Sequence, residues 1–146
     1  MEISVPYLAG FIDGEGCMMV ARLKYATECK RGIRYAPVMN IANTHLPILQ
    51  LIQLKFGGKI REMGLKENPG NYLLHFSVKE MKNIIPQILP YLIVKRDQAE
   101  LFLEFLKSRE SYGARALSDE QFRYTEDCYS KIKNMKKVRF ELSAGA

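Results

Sequence analysis

The chain has 146 residues and a mass of 16.8 kDa, which predicts a single domain over residues 1–146. Apolar residues make up 47% and charged residues 26%, a balance that excludes a disordered chain and a fibrous repeat. The net charge is +6, and residues 17–79 carry ten basic residues against three acidic ones. This basic central segment favours a polyanionic partner such as nucleic acid.

The cysteines and the apolar runs indicate the cellular setting. Cys17, Cys29 and Cys128 are too few and too scattered for a disulfide framework or a zinc site. The longest apolar run, over residues 84–94, is interrupted by prolines and is shorter than the ~20 residues of a membrane span. We therefore expect an intracellular protein, in the cytoplasm, the nucleoid or an organelle, with no signal peptide, transmembrane segment or membrane partner.

The first predicted elements are a helix and a β-hairpin. Ser4 is expected to cap a helix that runs to Asp13 and stops at residues 14–16. The two strands of the hairpin are predicted over residues 17–25 and 33–43. In the second strand, apolar residues alternate with more polar ones, which indicates a sheet that is covered on one side.

The phase of the first strand is less regular. Met18 and Val20 are expected to point inward, yet Arg22 and Lys24 share their parity. We therefore expect a bulge or an increased twist that shifts the register of this strand.

The remaining elements repeat the helix and hairpin order. Thr44 is expected to cap the second helix, and Ser118 with Gln121 forms the pattern of a capping box before the last helix. The order predicts an α+β domain, αββαββα, with a four-stranded antiparallel sheet and a helical extension over residues 109–146. The predicted ranges are a helix ending at 57–58, strands over 59–63 and 71–78, and helices over 80–85, 97–109 and 118–135.

The segment of residues 8–16, LAGFIDGEG, carries the most specific signal. Gly10 and Gly14 lie four positions apart, on one helix face, so a second helix can approach them closely. Asp13 and Glu15 lie at the C-terminal end of that helix, where the helix dipole disfavours carboxylates. A bound divalent cation would remove this penalty. Two solvated acids in a glycine-rich turn are the alternative interpretation.

This segment resembles the LAGLIDADG motif of homing endonucleases, because seven of its nine positions match when Glu15 is counted acid for acid. The resemblance extends over about residues 5–108 and implies the LAGLIDADG homing endonuclease fold. The motif occurs once, and single-motif members are homodimers whose motif helices pack at the two-fold axis. The dimer interface is therefore expected to include Tyr7, Ala9, Gly10 and Asp13.

The resemblance also implies the catalytic residues. Glu15 and the carbonyl of Gly14 are the expected metal ligands, with Mg²⁺ as the cofactor and Mn²⁺ or Ca²⁺ as substitutes for binding. Glu15, Asn43 and Lys95 are the expected catalytic residues, of which Asn43 orients a water and Lys95 points into the site. Asp13 is expected to hold the end of its own helix.

Basic and amide side chains of the two hairpins are predicted to contact double-stranded DNA in the major groove. Three of them, at or near the hairpin tips, are expected to contact phosphates instead of bases. A late basic run over residues 131–139 is either a solvated helix end or, as we favour, a second phosphate clamp. The predicted DNA contacts are Arg22, Lys24, Lys30, Arg31, Arg34, Asn40, Lys59, Arg61, Lys66, Asn71 and His75, with Lys30, Arg31 and Lys66 as the phosphate contacts.

The function implied by the resemblance is that of a site-specific homing endonuclease, typically intron-encoded. Such an enzyme cleaves both strands of a long, near-palindromic DNA site by divalent-metal-dependent phosphodiester hydrolysis. The alternative is a protein of the same fold that does not cleave: an intron RNA maturase or splicing factor, or a DNA-binding regulator. Intron RNA is therefore a further candidate partner, although the presence of Glu15, Asn43 and Lys95 favours the enzyme.

Overall fold

The computed structural model describes residues 1–24, 31–64, 69–112 and 117–145, the last two ranges with side chains as far as 110 and 135. Its elements follow the predicted order and confirm the α+β class. A one-turn 3-10 helix, Leu89–Tyr91, precedes α4. The elements are α1 Val5–Glu15, β1 Gly16–Lys24, β2 Ile33–Asn43, α2 Leu46–Phe56, β3 Lys59–Glu62, β4 Tyr72–His75, α3 Val78–Ile88, α4 Arg96–Tyr112 and α5 Asp119–Gly145.

The four strands form one antiparallel sheet in the order β1-β2-β4-β3. Pairing of β1 with β2 runs without interruption from Gly16 opposite Ile41 to Lys24 opposite Ile33. The bulge expected in β1 is therefore wrong. Because side chains alternate along a strand, Arg22 and Lys24 keep the parity of the buried Met18.

One face of the sheet, the inner face, is covered by the helices. Side chains of β1 and β2 on this face, such as Met18 and Met39, are buried with Leu8 and Ile12 of α1 and Phe102 of α4. The opposite face, here called the outward face, consists of the strand residues of the other parity. Its members are Cys17, Met19, Ala21 and Leu23 of β1, Arg34, Ala36, Val38, Asn40 and Ala42 of β2, Lys59 and Arg61 of β3, and Leu73 and His75 of β4.

Several element boundaries differ from the predictions. The last strand ends at His75, because Ser77 and Glu80 form a capping box that starts α3. Pro86 lies inside α3 instead of ending it. Burial of Ile84, Ile85 and Ile88 holds this helix together across the missing N–H.

The start of α2 and the C-terminal helix also differ in detail. Thr44 does not cap α2, because the helix begins at Leu46 with His45 at the cap position and a proline in the first turn. The capping box before α5 is confirmed: Ser118 Oγ accepts from the Gln121 N–H at 3.2 Å, and Gln121 Oε1 accepts from the Ser118 N–H at 2.9 Å. Among the described helices, none is both long enough and apolar enough to cross a membrane.

Candidate active site and nucleic-acid interface

The candidate active site is built at the junction of α1 and β1. Glu15 is the last residue of α1, and both Glu15 and Gly14 are exposed. At Gly16 a Cβ atom would lie 2.8 Å from the carbonyl oxygen of Ile12 and 2.9 Å from its Cα. Only glycine therefore lets the chain pass directly from α1 into β1, and this close passage fixes where the Glu15 carboxylate emerges.

Asp13 joins α1 to the segment before α4. Its carboxylate accepts backbone N–H groups from Ile93 at 2.8 Å, Val94 at 3.2 Å and Lys95 at 2.9 Å. Partial burial raises the pKa of the Asp13 carboxyl, but these three hydrogen bonds and the charge of Lys95 outweigh it, so the net pKa is lowered. Asp13 thus ties the end of its own helix to a segment that lies 80 to 82 positions away in the chain.

Lys95 completes this connection in the opposite direction. Its Nζ donates to the carbonyl oxygens of Ile12 and Asp13, each at 2.7 Å. Carbonyls in the last turn of a helix lack intrahelical partners, and a cation there complements the helix dipole. The ammonium therefore lies at the end of α1 that carries Gly14 and Glu15.

Asn43 is the last residue of β2 and lies at the same end of the sheet. Gly16 pairs with Ile41, two residues before Asn43, so β2 ends where α1 joins β1. The Oδ1 atom of Asn43 accepts the backbone N–H of His45 at 2.8 Å. This bond occupies the amide oxygen in the turn that leads into α2 and orients the amide NH₂ group as the hydrogen-bond donor.

The described part of the chain does not contain a complete metal site. No group of three or more His, Cys, Asp or Glu side chains in the described residues has the arrangement to hold an ion. The Glu15 carboxylate and the Gly14 carbonyl are oxygen ligands of the kind that Mg²⁺ and Ca²⁺ accept. They are two of the roughly six oxygen ligands that Mg²⁺ takes, so Glu15 and Gly14 do not complete such a site by themselves.

Five of the predicted DNA contacts lie on the outward face. Asn40, His75 and Lys59 form one row across β2, β4 and β3. Arg61 lies opposite Leu73 in the next row, and Arg34 lies near the far end of the β1–β2 hairpin. Asn71 directly precedes β4, where its carbonyl accepts the Met63 N–H at 2.6 Å.

Other predicted contacts are directed elsewhere. Arg22 and Lys24 have the inner-face parity, where Arg22 interacts with the Tyr35 hydroxyl, so their assignment to the groove is wrong. The sequence reasoning assumed that a basic residue on a strand faces the groove, whereas uninterrupted pairing with β2 decides the face.

Arg31 was also assigned wrongly. Its guanidinium donates to the Leu117 carbonyl at 2.8 Å, pairs with Asp119 at 2.5 Å and lies 4.9 Å from the centre of the Phe122 ring. It therefore attaches the start of β2 to the start of α5 and is not directed at a phosphate. Lys30 and Lys66 lie outside the described residues.

The exposed side of α1 carries only part of the predicted interface. Ala9 is fully buried in the core of this chain, so its side chain is not available to a second copy. The Asp13 carboxylate is directed at residues 93–95 of its own chain. Gly10 and Gly14 are exposed, with no atom within 4 Å of an added Cβ, and Tyr7 is half-exposed.

Residues that the sequence reasoning missed are Met19 and Ala21 on the outward face and two apolar residues of the segment before α4. Met19 and Ala21 lie on the outward face, as their opposite parity to Met18 and Val20 indicates. Ile93 and Val94 are 86% and 53% exposed, and their backbone N–H groups bind Asp13 near the end of α1. Two apolar residues shortly before α4 were the available signal.

Comparison with known proteins gives a consistent family and fold. The sequence model of the LAGLIDADG endonuclease family matches residues 8–112. The DNA endonuclease I-CvuI of Chlorella vulgaris is 28% identical over 112 residues, which are 73% of this chain and 65% of the relative. This chain thus spans less than two thirds of that relative's length.

Solved structures share the fold. The homing endonuclease I-CvuI, crystallised with an uncleaved DNA target in the presence of Mg, has a TM-score of 0.75 and 21% identity over 90% of this chain and 80% of the other. The archaeal intron-encoded homing endonuclease I-Vdi141I, complexed with DNA, has a TM-score of 0.76 and 22% identity over 90% and 82%. The fold is therefore that of the LAGLIDADG homing endonucleases.

Proposed function

Because the chain belongs to the LAGLIDADG endonuclease family, we propose that it is a homing endonuclease that hydrolyses both strands of a long, near-palindromic DNA site. The observation that carries the proposal is the end of α1, where Glu15 is exposed and the Lys95 ammonium binds the carbonyl oxygens of Ile12 and Asp13. The DNA complexes of the related I-CvuI and I-Vdi141I support a DNA substrate. Because I-Vdi141I is intron-encoded, we propose that this chain is intron-encoded as well.

We propose that the active form is a homodimer, because the chain carries the motif once and the glycine face of its motif helix is exposed. The open glycine face of α1 allows close approach of a second α1 helix. Such packing brings together the two α1 ends and hence two Glu15 carboxylates. A two-fold symmetric protein reads a target with matching symmetry, which accounts for a near-palindromic site.

The oxygen ligands at the end of α1 fit a divalent cation. Glu15 and the Gly14 carbonyl of each chain would hold Mg²⁺. A cation held there would supply Lewis-acid stabilisation of the negative charge that develops during hydrolysis.

The other residues of the site position the reacting groups and stabilise negative charge. Lys95 holds the last carbonyls of α1 and contributes positive charge next to the phosphate, while Asp13 fixes the backbone from which Lys95 extends. The Asn43 amide, oriented by its bond to His45, donates a hydrogen bond that holds a water near the scissile phosphate. Hydrolysis adds the oxygen of a water to phosphorus and releases the 3′ oxygen, which takes up a proton.

We propose that the outward face enters the major groove. The forked guanidinium groups of Arg34 and Arg61 suit guanine O6 and N7, and the Asn40 amide suits adenine. Lys59 and His75, in the row with Asn40, add donors at the same level of the sheet.

The test is cleavage of a library of randomised duplexes in Mg²⁺, followed by sequencing of the cut ends, with Glu15→Gln as the inactive control. The proposal predicts one family of symmetric sites cut on both strands by the wild type only. Selective binding without cut ends would instead support a regulator, and retention of intron RNA without cutting would support a maturase.

A further inference from the structure

Four side chains on the outward face of the β1–β2 hairpin form an apolar band. Met19 lies opposite Val38, and Ala21 lies opposite Ala36, in two successive rows of the uninterrupted pairing. All four are partly exposed, and none of these described residues belongs to the core cluster on the inner face. The helices therefore leave the band uncovered.

The surroundings of the band indicate what covers it. On one side lies the row of Leu23 and the exposed Arg34. On the other side the row of Asn40, His75 and Lys59 carries polar and basic side chains. An apolar protein surface would bury these basic groups without partners, whereas the charged walls of a DNA groove complement them. We therefore take double-stranded DNA as the occupant, which rests on the proposed function.

The dimensions of the band match base-pair steps. Residues of an antiparallel strand rise about 3.4 Å, so successive outward rows are about 6.8 Å apart, or about two base-pair steps. Two rows therefore cover about four base pairs. A two-stranded ribbon is also narrow enough for the major groove.

The chemistry of the band restricts what it can recognise. Met, Val and Ala offer no strong hydrogen-bond donor or acceptor to a base edge. In the major groove, the C5 methyl group is the apolar mark that distinguishes thymine from the other three bases. We propose that Met19, Ala21, Ala36 and Val38 select thymine through this methyl group over about four adjacent base pairs of each half-site, outside the bases that face Asn40, His75 and Lys59.

The first test removes the methyl group from the DNA. The wild-type protein is given its library-selected site in duplexes in which single thymines are replaced by deoxyuridine, which keeps every hydrogen-bonding group. Within the band, each replacement is expected to raise Kd about fourfold, the effect of one buried methyl group. Replacement at positions facing Asn40, His75 and Lys59 is expected to leave Kd unchanged, as an internal control.

The same duplexes allow a gain of binding. Where a cytosine replaces a preferred thymine in the band, 5-methylcytosine at that position is expected to recover about the same fourfold factor over cytosine. If deoxyuridine and 5-methylcytosine have no effect anywhere in the half-site, the band does not recognise methyl groups and the inference is wrong, while the proposed endonuclease stands.

The second test changes the protein. Val38→Thr replaces one methyl group with a hydroxyl at nearly constant volume, and Val78→Thr, at the exposed start of α3, is the matched control. Val38→Thr should weaken the thymine preference at one position in each half-site, whereas Val78→Thr should keep the wild-type preference at every position. If Val38→Thr has the same base preference as the wild type at every position, the band does not recognise thymine. If the wild type cuts no site in the library, the proposed function is wrong. The inference about the band, which rests on that function, is then wrong too.

Discussion

Five hydrogen bonds join the end of α1 to residues 93–95, which lie 80 to 83 positions away in the chain. The outward face of the sheet lies on the side away from the helix-covered core. At most of its positions the side chains are partly or fully exposed. One region holds its atoms in place for chemistry, and the other leaves its side chains available for a ligand. Substitutions in the first should change the cleavage rate, and substitutions in the second should change the choice of sequence.

The largest expected effect is that of Glu15→Gln. The change removes one metal-binding charge per chain and keeps the shape, so the cleavage rate should fall at least about a thousandfold while DNA affinity stays within about twofold. Single-turnover cleavage and equilibrium binding are measured on the same duplex. Glu100→Gln, an exposed carboxylate on α4, is the control. Cleavage at the wild-type rate by Glu15→Gln would exclude this residue as the ligand.

Gly10→Leu tests whether the active site needs two copies. A leucine side chain on the open face of α1 should hold two helices apart, so sedimentation should detect a monomer and cleavage should be lost. Gln50→Leu, which adds an exposed leucine to α2, controls for the added apolar surface. Persistence of both the dimer and the cleavage in Gly10→Leu would place the interface elsewhere.

Asp13→Asn tests the connection between α1 and the segment that carries Lys95. Loss of the charge that accepts three N–H groups should lower kcat roughly 10- to 100-fold, the usual effect of a residue that supports a catalytic group, with KM nearly unchanged. An equal loss in Asp97→Asn, at the exposed start of α4, would indicate a general effect of charge.

The pKa of Asp13 predicts how its contribution to stability depends on pH. The pKa of Asp13 is lowered in the folded chain. Asp13 therefore stabilises the fold fully at pH values above its ordinary pKa of 3.8, and this contribution is lost as the pH falls through the pKa of the folded state. The free energy of unfolding of Asp13→Asn should therefore approach that of the wild type in acid and differ from it near neutral pH.

On the outward face, Arg61→Ala should change specificity rather than rate. Loss of a bidentate contact to guanine should reduce discrimination by about 1–3 kcal/mol at one base pair in each half-site. A cleavage profile over all single-base variants of the site measures this. A uniform loss across all targets would mean that Arg61 contacts the backbone instead.

The smallest expected effect on DNA binding is that of Arg31→Ala, because Arg31 is bound to Leu117 and Asp119. The slope of log Kd against log salt should stay unchanged, whereas the free energy of unfolding should fall by about 1 kcal/mol, because the carboxylate of the ion pair is exposed. Arg34→Ala, exposed on the outward face, is the matched comparison and should lower DNA affinity and alter the cleavage profile. The opposite pattern would reverse our assignment of these two arginines.

Features set by neighbouring residues could be predicted from the sequence. The motif helix, the hairpins and the capping box before α5 depend on residues within a few positions of one another, and the alternation in β2 identified its buried face. Lys95 was assigned to the site through the family resemblance, and the structure brings it to the end of α1.

Features set by distant partners could not be predicted. The acceptor role of Asp13 depends on backbone groups about 80 positions away, and the ion pair of Arg31 with Asp119 joins residues 88 positions apart. Arg22 was placed in the groove from its charge, although pairing with β2 turns it to the other face. Net charge identifies a basic segment, but register decides which of its side chains face a ligand.

The separation between the two regions is tested most directly by measuring DNA affinity and single-turnover cleavage for Glu15→Gln and Arg61→Ala on one panel of duplexes. We predict that Glu15→Gln keeps the wild-type order of affinities without cutting, and that Arg61→Ala cuts its best site at nearly the wild-type rate with a relaxed preference at one symmetric position. If both variants lose affinity and cleavage together, the two regions do not act separately and the account is contradicted.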